Sequence, residues 1–211
     1  ASPEPRKFFY IGDDNPIGPK VWKVRMLLFV KPDYVLTFDR VFGAVPHRWN
    51  LHVTADELTR EGPVVTARGR FDLDLECRML APTEFMYESG EFVPGPEKFG
   101  TGEENAHRQR YFRVYNHEGD VYRAVLFAKE RDRAVTVTPV GSCGVRVETA
   151  EYTDYAFISD EMVRETIDGV RFEGRAGWIR RDAAGEVCAC MPDGDALPAF
   201  GVALRGRGPW T

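Results

Sequence analysis

Along most of this chain apolar residues recur at every second position, the period of a β-strand with one face turned inward. Residues 24–53 form the longest apolar, β-branched and aromatic stretch, and Pro32-Asp33 breaks it. The break predicts strands at 21–30 and 33–42 joined by a Lys31-Pro32-Asp33 corner, with Tyr34, Leu36 and Phe38 alternating against Val35, Thr37 and Asp39. Strands follow at 48–54 and 64–68. Phe71-Asp72-Leu73-Asp74-Leu75-Glu76 alternates strictly, which predicts a strand with an apolar inner face and an acidic wet face, entered by a hairpin at Arg68-Gly69-Arg70.

Further short strands are expected at 110–116, 121–128, 134–139, 145–149, 152–159, 170–173, 178–181, 186–191 and 200–205. Turn signals such as Asp168-Gly169, Ala184-Gly185 and Asp193-Gly194 separate several of them. No window carries the 3.6-residue period of an amphipathic helix, and residues 160–167 are expected to make one turn at most. The pattern predicts an all-β chain, a large antiparallel two-sheet β-sandwich of the supersandwich kind. Residues 1–20, with Pro3, Pro5, Pro16 and Pro19, are a turn-rich lead-in, and 21–211 form a single domain. Within it, 81–109 is expected to be a long surface loop, because Pro82, Gly90, Pro94, Gly95, Pro96, Gly100 and Gly102 crowd into it.

Composition narrows the classes. The chain is 43% apolar and 29% charged, ordinary for a water-exposed globular domain that buries its core without staples. A formal charge of −5 with scattered Lys and Arg argues against a nucleic-acid partner but leaves room for a local cationic groove. No apolar run is long enough to span a membrane. Cys77, Cys143, Cys188 and Cys190 are too few and too irregular for a disulfide framework or zinc ribbon. The last two share a strand face and are poorly placed to bridge each other. The ends, Ala1-Ser2 and Pro209-Trp210-Thr211, suggest a processed product or an excised piece.

No phosphate-binding glycine loop, nucleophile elbow or Cys-x-x-Cys pair is present, so attention falls on the four histidines and their surroundings. His47 and His52 would point to opposite faces of one strand, whereas Asn50 and His52 share the face opposite Trp49, Leu51 and Val53. His52 is either a solvent-facing structural residue or a ligand completed from elsewhere. His117 falls in a turn, and His107 with Arg108 and Arg110 closes the long loop. Those three are either part of a solvated charged loop or the polar edge of a sugar groove, in which the arginines pair with a carboxylate. Tyr87 and Phe92 would either stack on sugar rings or pin the loop to the sheet.

The run Val30-Lys31-Pro32-Asp33-Tyr34-Val35-Leu36-Thr37-Phe38-Asp39-Arg40-Val41, followed by Trp49-Asn50-Leu51-His52, resembles the heparinase II/III-like polysaccharide lyases. In that family a strand pair of this kind leads into a "WLLH" strand of the β-sandwich behind a helical toroid. Asn50 stands where the family has leucine. Thr153-Asp154-Tyr155-Ala156-Phe157-Ile158-Ser159 and the stretch 168–177 look like the closing strands of the same module.

The resemblance implies β-elimination on uronic-acid-containing polysaccharide, with a tyrosine or histidine taking the proton beside a neutralised carboxylate. It implies an acidic polysaccharide and an N-terminal helical domain as partners, a periplasmic or secreted location, and zinc held in part by His52. The catalytic tyrosine is not assigned, Tyr10 being a candidate by position only. The alternative is a free-standing carbohydrate-binding module using aromatic side chains such as Tyr87, Phe92, Trp178 and Trp210. The lyase reading further expects an exposed apolar patch where the helical domain would sit.

Overall fold

A computed structural model describes residues 22–43, 46–69, 71–92, 109–116 and 119–205. All regular structure among them is strand, and every pairing is antiparallel. The middle sheet is built from β1 (Trp22–Val30), β2 (Tyr34–Phe42), β4 (Glu57–Glu61), β5 (Val64–Arg68), β6 (Leu73–Ala81) and β9 (Val121–Glu130), in the order β1-β2-β9-β6-β5-β4. The second six-stranded sheet runs in sequence order through β10 (Thr136–Val140), β11 (Gly144–Glu148), β12 (Tyr152–Ile167), β13 (Val170–Asp182), β14 (Val187–Ala199) and β15 (Val202–Arg205). A three-stranded sheet is made of β3 (Arg48–Val53), β7 (Met86–Phe92) and β8 (Gln109–Tyr115), in the order β3-β8-β7.

The all-β sandwich expected from the alternation is what forms, with a third layer added. Strand alternation lets the middle sheet bury both faces. Leu28, Val30, Leu36, Phe38, Val125 and Phe127 meet Val145, Val147, Ala156 and Ile158 of the second sheet. On the opposite face Val65, Cys77, Met79, Tyr122 and Ala124 meet Trp49, Phe112 and Val114 of the small sheet. The second sheet has its own further core, where Phe157 and Phe172 stack with centroids 4.4 Å apart. Register shifts between Ile158 and Val163 and between Glu173 and Trp178 bend its long strands. Phe172 and Leu197 thereby come over Gly177, where a Cβ would lie 3.2 and 3.5 Å from their side chains.

Charge joins the two large sheets at the Pro-Asp corner. Arg180 donates to both carboxylate oxygens of Asp154 at 2.8 Å and to Asp33 at 2.9 Å, while the Tyr34 hydroxyl donates to Asp154 at 3.1 Å. The guanidinium lies 3.5 Å from the Tyr152 ring centroid, and Arg133 bridges Asp33 to Glu151. Burial raises the Asp154 carboxyl above its ordinary range, against the hydrogen bonds and charge of Arg180. The geometry of this corner is therefore electrostatic as well as steric: Asp33, in the turn before β2, is tied to Arg180 of β13.

Several expectations need correction. Residues 81–109 are not all loop: Met86–Phe92 is strand, because Tyr87 turns its ring to the core against Phe112 while Glu88 turns outward. Residues 160–167 extend β12 instead of making a helical turn. The strand expected at 71–76 starts at Leu73, since Phe71 and Asp72 both take left-handed backbone (φ 60° and 59°) in the hairpin. Its two faces are also reversed at the start: Asp74 is buried and Leu73 half-exposed. Asp74 accepts the Gly69 N–H and the Arg131 guanidinium, which compensates its burial. The strand at 57–61 has no apolar alternation of its own and is held as an edge by β5. The lead-in at 1–20 lies outside the described residues.

Replacing Arg180 by Met leaves Asp154 and Asp33 buried without their common cation. The expected loss is about 3–5 kcal/mol of unfolding free energy, measured by urea denaturation. Tyr34→Phe removes one buried neutral donor and is expected to cost about 1 kcal/mol in the same assay.

Candidate functional site

The small sheet presents its second face to solvent, and that face gathers the polar and aromatic chemistry. Alternation along β8 sends Phe112 and Val114 inward, so Tyr111, Arg113 and Tyr115 stand outward. Along β3, Trp49 and Leu51 are inward and Asn50 and His52 outward. The register lays these in rows: Asn50 beside Arg113 beside Glu88, His52 beside Tyr111 beside Gly90, and Arg48 beside Tyr115 beside Met86.

Glu88 is the hub. Its Oε1 accepts from Tyr111 Oη at 3.2 Å and Arg113 Nη1 at 2.7 Å, and its Oε2 accepts from Tyr115 Oη at 2.6 Å. The Arg113 guanidinium also lies over the Tyr111 ring, 4.3 Å from its centroid. Chiefly the Tyr115 hydrogen bond, then the Arg113 charge, holds the Glu88 carboxyl below the usual glutamate range. Gly90 makes room for this arrangement, since a Cβ there would come within 2.7 Å of Tyr111 Oη. The Tyr111 ring thus lies across β7.

His52 sits at one end of the platform, with ring centroids 5.1 Å from Phe92 and 5.9 Å from Tyr111. Its described neighbours are carbon rings, and no group of three or more His, Cys, Asp or Glu among the described residues is placed to hold a metal. Tyr87, on the inner face, packs on Phe112 and beneath Arg60, so it pins β7 to the core. Arg110 also stands off the platform, pairing with Glu91 at 2.8 Å and donating to the Asp56 carbonyl at 3.1 Å. Phe92 joins the platform edge. His107 and Arg108 lie outside the described residues, as do Tyr10, His117 and Trp210.

Sequence reasoning placed Asn50 and His52 together but gave no role to Glu88, Tyr111, Arg113 and Tyr115. The signal was present: Gln109-Arg110-Tyr111-Phe112-Arg113-Val114-Tyr115 alternates, and its outward set is two tyrosines around an arginine. What hid Glu88 was the turn-rich composition around it. Chemically, the face offers flat rings for the C–H faces of sugars and a ring of amide, imidazole, phenol and guanidinium groups for hydroxyls and carboxylates.

The platform is fixed from behind. Trp49 Nε1 donates to the buried Asp39 of β2 at 2.9 Å, and the Tyr122 hydroxyl donates to the His47 carbonyl at 3.2 Å. Arg25 closes on Asp39 with contacts of 2.6 and 3.0 Å.

Because the Glu88 carboxyl is held below its unfolded value, the stability its contacts contribute is complete above about pH 4.3 and is lost as pH falls through the folded value. Tyr115→Phe removes the largest stabilising contact of the Glu88 carboxylate. Carbon-detected NMR titration is expected to show the Glu88 midpoint below that of an ordinary glutamate in the parent and higher in the variant. An unmoved midpoint would show that Tyr115 does not hold the carboxylate.

No protein-family model matches the chain, and no characterised protein is similar to it at a significant level.

Proposed function

We propose that this chain is the β-sandwich part of a polysaccharide lyase acting on uronic-acid-containing glycans, and that the outward face of its small sheet meets the glycan. One observation carries the reading: Asn50, His52, Tyr111, Arg113 and Tyr115 stand on a single exposed sheet face. β-Elimination uses such groups, a phenol or imidazole to take the proton beside the carboxylate and an amide or guanidinium to neutralise the carboxylate. Tyr111 and His52 are cross-strand neighbours, so either can serve as the base, and Asn50 beside Arg113 is the carboxylate-facing pair.

A second surface supports the same reading. Leu27 and Phe29 on β1 are 50% and 57% exposed, and Leu73 on β6 is 52% exposed. By register all three stand on the middle-sheet face that the small sheet covers in part. Leu27 and Phe29, two residues apart on β1, make an exposed apolar patch that suits a partner such as a helical domain. The remaining catalytic groups are assigned to that domain.

The alternative, a glycan-binding module without chemistry, draws support from Glu88. It already occupies Arg113 and both tyrosine hydroxyls, leaving a neutralised surface suited to sugar hydroxyls.

Calorimetric titration with uronic-acid oligosaccharides is expected to show binding that Tyr111→Ala weakens about tenfold, roughly 1.4 kcal/mol. Protein in its native assembly is expected to raise the ultraviolet absorbance of unsaturated uronate from the same glycans. Binding without that absorbance supports the module; no binding of any uronic-acid glycan removes both readings.

A further inference from the structure

The hairpin between β5 and β6 carries a side chain that neither folding nor packing explains. Phe71 has φ 60°, a left-handed conformation in which a bulky aromatic is an outlier and asparagine or glycine is preferred. Its ring is 92% exposed, so it gains nothing from burial. The turn beneath it is nevertheless held firmly. Arg131 donates to Asp72 Oδ1 at 2.7 Å and to the Gly69 carbonyl at 3.2 Å, its backbone N–H donates to the Asp72 carbonyl at 2.9 Å, and its guanidinium reaches both oxygens of Asp74 at 3.3 Å. A residue that breaks the local preference, on a turn built to hold it in place, points to contact with something outside the chain.

Phe71 is one of the residues lining a shallow, open cleft of about 720 Å³, with Asp56, Glu57, Arg68, Asp72 and Arg131. Asp56 and Glu57 also line a smaller cleft of about 250 Å³ that continues to Ser89, Gly90 and Arg110. Gly90 is the residue over which the Tyr111 ring lies. The two clefts thus form a path from the exposed Phe71 ring, across the β4 edge, to the margin of the aromatic platform.

We propose that this path is a second glycan subsite, in which Phe71 stacks on a sugar ring several residues away from those on the small sheet. The chemistry matches a polyhydroxylated ligand: one flat apolar face offered by Phe71, with the Glu57 and Asp72 carboxylates and the Arg68 guanidinium beside it to hydrogen-bond hydroxyls. The subsite extends the glycan-binding reading given above and rests on it. It makes the chain a reader of long polymers, with the platform sufficient for short ones.

The test uses Phe71→Asn, which suits the left-handed turn, alongside Tyr111→Ala, with heparin and alginate oligosaccharides graded in length as probes. Thermal melting of Phe71→Asn is expected to match or exceed that of the parent, so a fold defect does not confuse the result. Calorimetry is expected to show long-oligosaccharide affinity about tenfold weaker in Phe71→Asn, the scale of one lost stacked ring, with short-oligosaccharide affinity unchanged. Tyr111→Ala is expected to weaken both. If Phe71→Asn binds long chains like the parent while Tyr111→Ala weakens binding, the subsite is overturned and the platform stands. If the parent binds neither glycan at any length, the subsite and the reading beneath it fall together.

Discussion

A buried carboxylate, Asp39, is the point on which the candidate face depends. It is 1% exposed on the middle sheet and accepts the Trp49 indole N–H across the interlayer gap. Arg25 and Lys23 of the neighbouring strand neutralise it, at 2.6 and 3.1 Å. A charge so deeply placed is tolerable only when paired and hydrogen-bonded, so its partners are fixed in position. Fixing Trp49 fixes β3, and fixing β3 sets the register that brings Asn50 beside Arg113 and His52 beside Tyr111. The remainder of the small sheet is held by apolar contact through Phe112 and Val114, which constrains distance more than orientation.

The opposite face of the middle sheet solves a similar problem with a different group. There Arg180 is shared by Asp154 and Asp33, so one cation serves two buried anions from separate layers. The middle sheet thus carries a buried polar anchor on each face, and Arg40 of β2 adds a further link to Asp160 of β12 at 2.7 Å. Arg180 is held in place by its bidentate pairing with Asp154 of the neighbouring strand, and from there it reaches across the layers to Asp33. The stacking of layers is set by these anchors, and the burial of Leu36, Phe127 and their neighbours supplies the bulk of the stabilisation.

Most of the layer structure was legible because alternation is a local signal. Tyr34 to Asp39 and Phe112 to Val114 state their facing in the sequence itself. What was not legible was anything decided by a distant partner. Asp74 reads as a wet-face residue until Arg131, fifty-seven positions later, supplies its counter-charge. Residues 160–167 carry too many charges to read as a buried strand, yet 163–167 pair with 170–174 of β13 as an extended ribbon. Glu88 sits in a composition that suggests a loop, and only pairing with β8 makes it a strand residue facing Arg113. Asn50 and His52 were found because they lie in a strand whose apolar partners are unambiguous; Tyr111 and Tyr115 have equally clear partners and were passed over for want of a recognised motif.

The proposed glycan surface is the solvent face of β3, β8 and β7, where Glu88 orders the donors. The most direct measurement is a two-dimensional amide NMR titration of the chain with a uronic-acid oligosaccharide. Shifts concentrated in residues 48–53, 86–92 and 109–115 are the expected result. Shifts confined to the outer strands of the second sheet, with the small sheet unmoved, would contradict it.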